Sequence, residues 1–426
     1  MRDREHGSSF PWRRKLLALV VAVAGVVAIV GSGGGGAGSG GPLWVETDVK
    51  VADVDGDGLA DVLTLAMRSD SYPQRQGYLM LYRQTAPGTF AAPLATMVGV
   101  YPWRVAVADI DGDGAVDLVI TDPDARVTWL LLQDATNRGH FLAPQALFSG
   151  FSSYSAVIAD LNDDGVPDVA GTHGTGTGWA ITVRYQDPAQ RGTFGPPVAI
   201  PMPASPSELA AGDVDGDGRT DLLAYSYTTG GSAADDPVAG LVVVFQQPGG
   251  GFVDSGVLAL QVGLNSDRVA IADANGDGRP DLLASLTPWS ANFKARTLTV
   301  PQIGPRQFGS PVVTSLADVQ GIDDAVFADL TGRGPVDGAV AGFWPESGGE
   351  LAPPNIKSGA TLLLNNGGGG FALAPRVDLP IAASRITAGD LDGDGRNDLV
   401  LYGDEQVMVM YQSTTPGVFL PPRALR

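Results

Sequence analysis

The chain has 426 residues, 44% of them hydrophobic, with 58 Gly and 31 Pro, a composition that suits many short strands joined by turns and argues against long helices. It contains no Cys, which excludes disulfides, a thiol nucleophile and Cys-ligated zinc. Formal net charge is −20, and because residues 1–32 carry +3 the remainder stands at −23, a body that repels nucleic acid and anionic membranes.

Residues 1–32 read as an export segment. Arg13, Arg14 and Lys15 precede an uncharged apolar run from Leu16 to Val30, followed by Gly31-Ser32. This is the order of a secretory signal, and fifteen apolar residues are short for a membrane span. Ile29-Val30-Gly31-Ser32 resembles a bacterial lipoprotein box with Ser where the lipid-bearing Cys belongs, a departure that rules out thioether lipidation there. A cleaved signal is the favoured reading and an uncleaved anchor its competitor. In the second case the Gly/Ser tract 33–41 is a tether, and the only membrane contact is through this segment. The expected location is outside the cytoplasm: periplasmic, cell-surface or secreted.

From residue 42 to 426 one nine-residue pattern returns seven times: Asp, spacer, Asp or Asn, spacer, Asp, Gly, two residues, Asp. It begins at Asp53, Asp109, Asp160, Asp213, Asp273, Asp329 and Asp390, at intervals of 51 to 61 residues. A near-constant period of that size marks a repeat architecture. The residue before the first Asp is small in every copy (Ala52, Ala108, Ala159, Gly212, Ala272, Ala328, Gly389), and an extended apolar stretch leads into it. Small residues there suit an innermost strand converging on an axis. After the closing Asp comes a second apolar run, such as Leu118-Val119-Ile120, then a third strand often ending in Gln (Gln84, Gln133, Gln186, Gln246, Gln412). A fourth is expected to begin near a recurring Phe: Phe90, Phe141, Phe194, Phe252, Phe308, Phe371 and Phe419. Four strands per unit and seven units predict an all-β, seven-bladed propeller of antiparallel blades. Blade seven has sequence enough to supply its own last strand, so the ring should close by packing between first and last blades.

The Asp positions point to calcium, which takes six to eight hard oxygen ligands at flexible geometry. Loop one offers the side chains of Asp53, Asp55 and Asp57, the carbonyl of Leu59 and the carboxylate of Asp61. Loop two offers Asp109, Asp111, Asp113, Ala115 and Asp117; loop four, Asp213, Asp215, Asp217, Arg219 and Asp221; loop seven, Asp390, Asp392, Asp394, Arg396 and Asp398. In each, the fourth residue named contributes its backbone carbonyl. Loops three (Asp160, Asn162, Asp164, Val166, Asp168) and five (Asp273, Asn275, Asp277, Arg279, Asp281) replace one carboxylate by Asn, keeping an oxygen while shedding a charge. About six calcium sites are expected. Loop six (Asp329, Thr331, Arg333, Asp337) loses its central ligand to Arg333 and should be empty of metal, its guanidinium acting as a built-in cation on the two remaining carboxylates. These are not EF-hands: the twelfth loop position is never Glu, and the flanks alternate like strands.

Loop, small residue, Phe and period together resemble the FG-GAP/VCBS repeat family of calcium-binding seven-bladed propellers, related to the amino-terminal propeller of integrin α chains. The resemblance runs from Trp44 to about Leu425 and implies a bacterial exported member. In that family the Asp loop joins the first and second strands of a blade, as in the register above.

Catalytic signals are thin. Of three His, His6 lies in the export segment, His140 beside Phe141, and His173 in a Gly-rich stretch expected to be a loop. Recognition should instead use the face opposite the Asp loops, built from the connections between second and third strands. These are the segments Ser69–Gln76, Thr172–Trp179, Tyr225–Asp236, Leu286–Arg296 and Phe343–Lys357, with Tyr101, Trp103 and Tyr154 on the same rim. The favoured function is a monomeric, non-catalytic module that binds protein or glycan; the alternative is a polysaccharide hydrolase or lyase on the same scaffold.

Overall fold

Each copy of the repeat folds into one antiparallel sheet, four-stranded in six blades and with the outer strand split into Phe371–Leu373 and Val377–Asp378 in blade six, and the seven sheets form a β-propeller. The computed structural model describes residues 44–68, 75–175, 178–227, 238–262, 264–288, 295–316, 319, 321–345 and 356–425. The export segment and linker lie outside these residues. All seven blades belong to one compact body spanning Pro42–Trp344 and Ser358–Arg426, and no helix occurs among the described residues.

Blade two shows the plan: Arg104–Ala108, Asp117–Asp122, Val127–Leu131 and Gln145–Ser149, paired in that order. The second strand, Asp117–Asp122, is buried throughout, because it lies between its own sheet neighbours and between two blades. That double burial is why it reads as an unbroken apolar run. The cores are layers between blades. One cluster joins Leu63 and Leu79 of blade one to Leu118 and Ile120 of blade two; another joins Leu399 and Met408 of blade seven to Leu330 and Ala339 of blade six.

The recurring Phe does not start the fourth strand in most blades. It pairs with the residue ending the third: Gln84 with Phe90, Gln133 with Phe141, Gln186 with Phe194, Gln302 with Phe308 and Gln412 with Phe419. The outer strand resumes only after a Pro, at Leu94, Gln145, Val198, Val312 and Arg423. Proline has no N–H for the ladder and breaks it. Blade four has no Pro after its Phe, and there the outer strand runs unbroken as Phe252–Val262. The ring closes as expected. Blade seven ends in its own strand, Arg423–Ala424, and blades one and seven share a core of Val49, Val62, Phe90, Leu391, Val400 and Val409.

Candidate metal centres

All seven Asp loops connect first and second strands, and their first and last carboxylates are fixed by backbone. Asp53 accepts N–H bonds from Gly56 (2.8 Å), Asp57 (3.1 Å) and Gly58 (2.9 Å). Gly56 and Gly58 sit at φ +74° and +88°, so the tight turn that aims these N–H groups inward favours Gly. The closing carboxylate is a bracket. Asp61 takes the Val54 N–H on one oxygen (2.9 Å) and the Gln84 N–H on the other (2.7 Å). Asp117, Asp168, Asp221, Asp281, Asp337 and Asp398 repeat both bonds. In five blades the third-strand residue then reaches the preceding blade. The Gln133 amide donates to the Val54 carbonyl (2.9 Å), Gln186 to Ile110 (3.0 Å) and Asn365 to Ala274 (2.7 Å).

Burial pushes the closing carboxyls up to about 6 at Asp61, Asp117, Asp168, Asp221 and Asp398, and the other loop carboxylates add to it; the bracketing N–H bonds oppose both. Carboxylates that resist ionisation where nothing neutralises them are what a bound cation would relieve. In four loops three carboxylates offer oxygens within 4.8 Å of one another: Asp53, Asp55 and Asp57; Asp109, Asp111 and Asp117; Asp213, Asp215 and Asp221; Asp390, Asp392 and Asp398. These are the four loops with Asp at every ligand position, and the hard-oxygen donor set fits a divalent cation such as calcium. In the Asn loops, Asn162 donates its amide to Asp164 (2.9 Å) and Asn275 to Asp281 (3.4 Å), so the amide offsets one carboxylate.

Loop six differs from the expectation. Arg333 is exposed and forms no ion pair with Asp329 or Asp337. The substitution that matters is Thr331, whose hydroxyl donates to Asp337 (2.7 Å) from a buried position. Both carboxylates persist because they hold backbone. Asp329 accepts the Thr331, Gly332, Arg333 and Gly334 N–H groups, and Asp337 those of Leu330 and Asn365. Arg333→Ala should therefore leave stability within about 0.5 kcal/mol in chemical melts. Thr331→Asp with Arg333→Asp restores four carboxylates and should add one equivalent of calcium uptake by calorimetry.

A second constellation was not anticipated. Five residues before the first Asp of each loop stand Asp48, Arg104, Ser155, Glu208, Arg268, Asp324 and Arg385, all on inner strands or at their edge. In five blades a β-bulge falls at this residue, the device by which a strand re-aims a side chain. Arg268 grips Asp324 through Nε (2.7 Å) and Nη2 (3.1 Å) and reaches Asp48 of blade one (3.0 Å). Arg104 reaches past Ser155 to Glu208 (3.2 Å). Asp48, Ser155 and Asp324 also accept the N–H of the next blade's inner strand, from Val105, Leu209 and Ile386. Burial alone would raise the Asp48 pKa, but Lys50, Arg268 and Arg104 outweigh it and hold the carboxyl far below the usual range. This lattice borders an axial cavity of about 420 Å³ walled by inner-strand residues such as Val107 and Val157. Counting five back from each loop would have found it, because the charges alternate in sign around the ring.

The aromatic rim is partly structural. Trp103 lies between the guanidinium groups of Arg385 (5.4 Å) and Arg104 (5.6 Å) and touches Tyr101 and Tyr154 edge-on. Trp344, expected on the recognition face, is buried in the blade five–six core with Arg376 over its ring. His173 is in strand Asp168–Thr175, not a loop, buried against Phe148 and Phe151, and burial lowers its pKa to about 4. Tyr72, Trp289, Phe293 and most of the five long connections lie outside the described residues.

Residues 53–120 and 109–171 match the model of the FG-GAP-like repeat, each stretch starting on the first Asp of a loop. The chain carries FG-GAP-like repeats. No curated protein matches the sequence. Among solved structures, the FG-GAP-like propeller is similar to a provisional 6-phosphogluconolactonase from Bacteroides uniformis (12% identity, TM-score 0.52, covering 85% of this chain and 96% of that one). It is also similar to a rhamnogalacturonan lyase PL11 of Bacillus licheniformis (14%, TM-score 0.49, covering 87% and 72%) and to the exotype rhamnogalacturonan lyase YesX (12%, TM-score 0.49, covering 90% and 74%). At these identities the likeness is one of fold.

Proposed function

We propose that this protein is an exported, calcium-binding β-propeller that acts as a non-catalytic module for protein or glycan, with recognition on the face opposite the FG-GAP-like loops. The observation that carries the metal half is the convergence of three carboxylates in each of four loops whose closing carboxyls ionise reluctantly without a cation. The ligands are those named for each loop above, with Asn162 and Asn275 giving weaker sites in loops three and five. For the binding half, the support is the strand order: because the Asp loops join first to second strands, each antiparallel blade has its second strand end, and its third begin, at the opposite edge. Asp48, Arg104, Glu208, Arg268 and Asp324 near the axis are engaged in holding blades together, and His173 is sequestered, which favours the non-catalytic reading over the hydrolase or lyase.

Calorimetric titration of the exported chain tests the first half: calcium uptake should fall by about one equivalent in Asp113→Ala and again in Asp217→Ala. Uptake unaltered by both removes these loops from the metal assignment. A glycan array and pull-down in millimolar calcium test the second half. Release of new reducing ends or unsaturated products from a bound polysaccharide would overturn the non-catalytic reading.

A further inference from the structure

Position three of each FG-GAP-like loop faces the outer hairpin of the next blade. The approach is visible in glycine contacts: a Cβ on Gly139 would lie 3.7 Å from Asp55, on Gly192 3.5 Å from Asp111, on Gly250 3.7 Å from Asn162, on Gly369 3.9 Å from Asn275, and on Gly417 3.2 Å from Thr331. The residue types on the two sides are matched in charge. Where position three is Asp55, Asp111 or Asp215, the facing hairpin carries Arg138, Arg191 or Arg306. Where it is Asn162, Asn275 or Thr331, the hairpin tip is Gly249–Gly251, Gly367–Gly370 or Pro416-Gly417. Loop seven is the exception. Its Asp392 faces Pro87-Gly88, with no hairpin arginine, and its cation is Arg396 within the loop, paired with Asp394 as Arg219 is with Asp217 in loop four and Arg279 with Asp277 in loop five.

The contact is most complete in blades four and five. Arg306, at φ 55° in the turn between Gln302–Gly304 and Gln307–Phe308, places Nε 2.6 Å from Asp215 Oδ2 and Nη2 3.6 Å from Asp217. Its guanidinium rests on the Phe245 ring at 4.6 Å, which fixes the approach. The Asp215 side chain is only 4% exposed, and its other oxygen accepts the Asp217 N–H (3.2 Å). A buried carboxylate of the candidate metal set is thus already engaged by a cation from another blade. In blade three, the Arg191 guanidinium packs so closely on Gly112 that a Cβ there would overlap it.

We propose that the hairpin arginines Arg191 and Arg306 are counter-cations supplied in trans, and that Arg306 holds the carboxylates of loop four in competition with the metal; in loop one the cation on Asp55 is instead Arg83 of the same blade (3.8 Å). This rests on the calcium reading above. The physical reason is that loop four brings the carboxylates of Asp213, Asp215 and Asp221 within 4.8 Å of one another, while its own Arg219 pairs with Asp217. A guanidinium stabilises it while it is empty and opposes a divalent ion that enters. One positive charge a few ångströms from a divalent ion weakens its binding by roughly tenfold even in a water-like dielectric. The second fixed effect, orientation of Asp215 by Arg306, acts the other way; a single carboxylate rotor already held by the Asp217 N–H loses less than that.

Calcium titration of the full chain by calorimetry, paired with melting in chelator, separates the outcomes. Arg306→Gln should tighten one site by about tenfold and lower the melting temperature of the chelated protein. Arg306→Lys, which keeps the charge, should leave that affinity close to wild type. Arg333→Gln, at an exposed arginine without an ion pair, should change neither quantity. If Arg306→Gln folds poorly, Arg191→Gln tests the same idea on loop two, where that guanidinium packs on Gly112. An unchanged or weakened affinity in the Gln variants, with wild type taking up calcium normally, overturns the competition alone. No calcium uptake by wild type overturns the metal assignment itself and this inference with it.

Discussion

Adding chelator should lower the melting temperature at neutral pH by several degrees. A ligand that binds only the folded state adds RT ln(1 + [L]/Kd) per site, and extracellular calcium modules have Kd of about 10⁻⁴–10⁻³ M. Millimolar calcium then contributes roughly 1 kcal/mol at each loop, and several kcal/mol over the four loops that converge three carboxylates. The direction with pH distinguishes this from a general salt effect. Burial raises the closing carboxyls to about 6 in the metal-free fold, well above the unfolded value near 4. Between those values the folded state binds more protons than the unfolded one, so these groups make the chelated protein less stable as pH rises from about 4 to about 6. Protons and calcium compete for the same oxygens, so the calcium-loaded protein should lose its advantage as pH falls through the same window. Melting curves at pH 5 and 7, with calcium and with chelator, should therefore converge on the acid side. Parallel curves, or no chelator effect at pH 7, would show that the loops are Asx turns without metal.

The sequence made the propeller legible because every level of it repeats with the period of a blade. Second strands such as Leu118-Val119-Ile120 are buried on both sides and read as continuous apolar runs, while the loops announce themselves by carboxylate spacing. What remained hidden was cooperation between copies. Gln133 reads as the end of a strand, yet its amide bonds the Val54 carbonyl one blade away. Arg333 looked like a cation aimed at its own loop, whereas Arg306, which engages the carboxylates of loop four, comes from the next blade. Trp344 looked like recognition surface because exposure depends on the neighbouring blade, which one repeat cannot reveal. The axial charges escaped notice because each copy shows a single charged residue in an apolar strand, and only the aligned set alternates.

Arg268→Met should destabilise the protein by about 3–5 kcal/mol, in calcium and in chelator alike. Arg268 joins three blades through side-chain ion pairs, with two bonds to Asp324 of blade six and one to Asp48 of blade one. Both carboxylates are fully buried, so removing the guanidinium leaves two desolvated anions with less compensation than the fold was built around. Lys50 and Arg104 lie 3.9 Å and 3.8 Å from Asp48, beyond hydrogen-bond range, and replace only part of the lost field. Arg268→Lys should recover little, because one ammonium cannot reproduce the two-pronged grip on Asp324. The lattice should also resist acid. Asp48 has a depressed folded pKa, so its contribution is present above the unfolded value near 4 and is lost only as pH falls through a folded value far below it. Wild type should thus keep its axial lattice at pH values where the calcium loops have already emptied. In Arg268→Met, Asp48 loses one of the cations that depress its pKa and should take up a proton at higher pH, and part of the lost stability should return on mild acidification as that proton neutralises it. Denaturant melts of both proteins from pH 7 down to 4 measure this directly. A loss under 1 kcal/mol at pH 7 would show that the lattice is a solvated ring that does not hold the blades together.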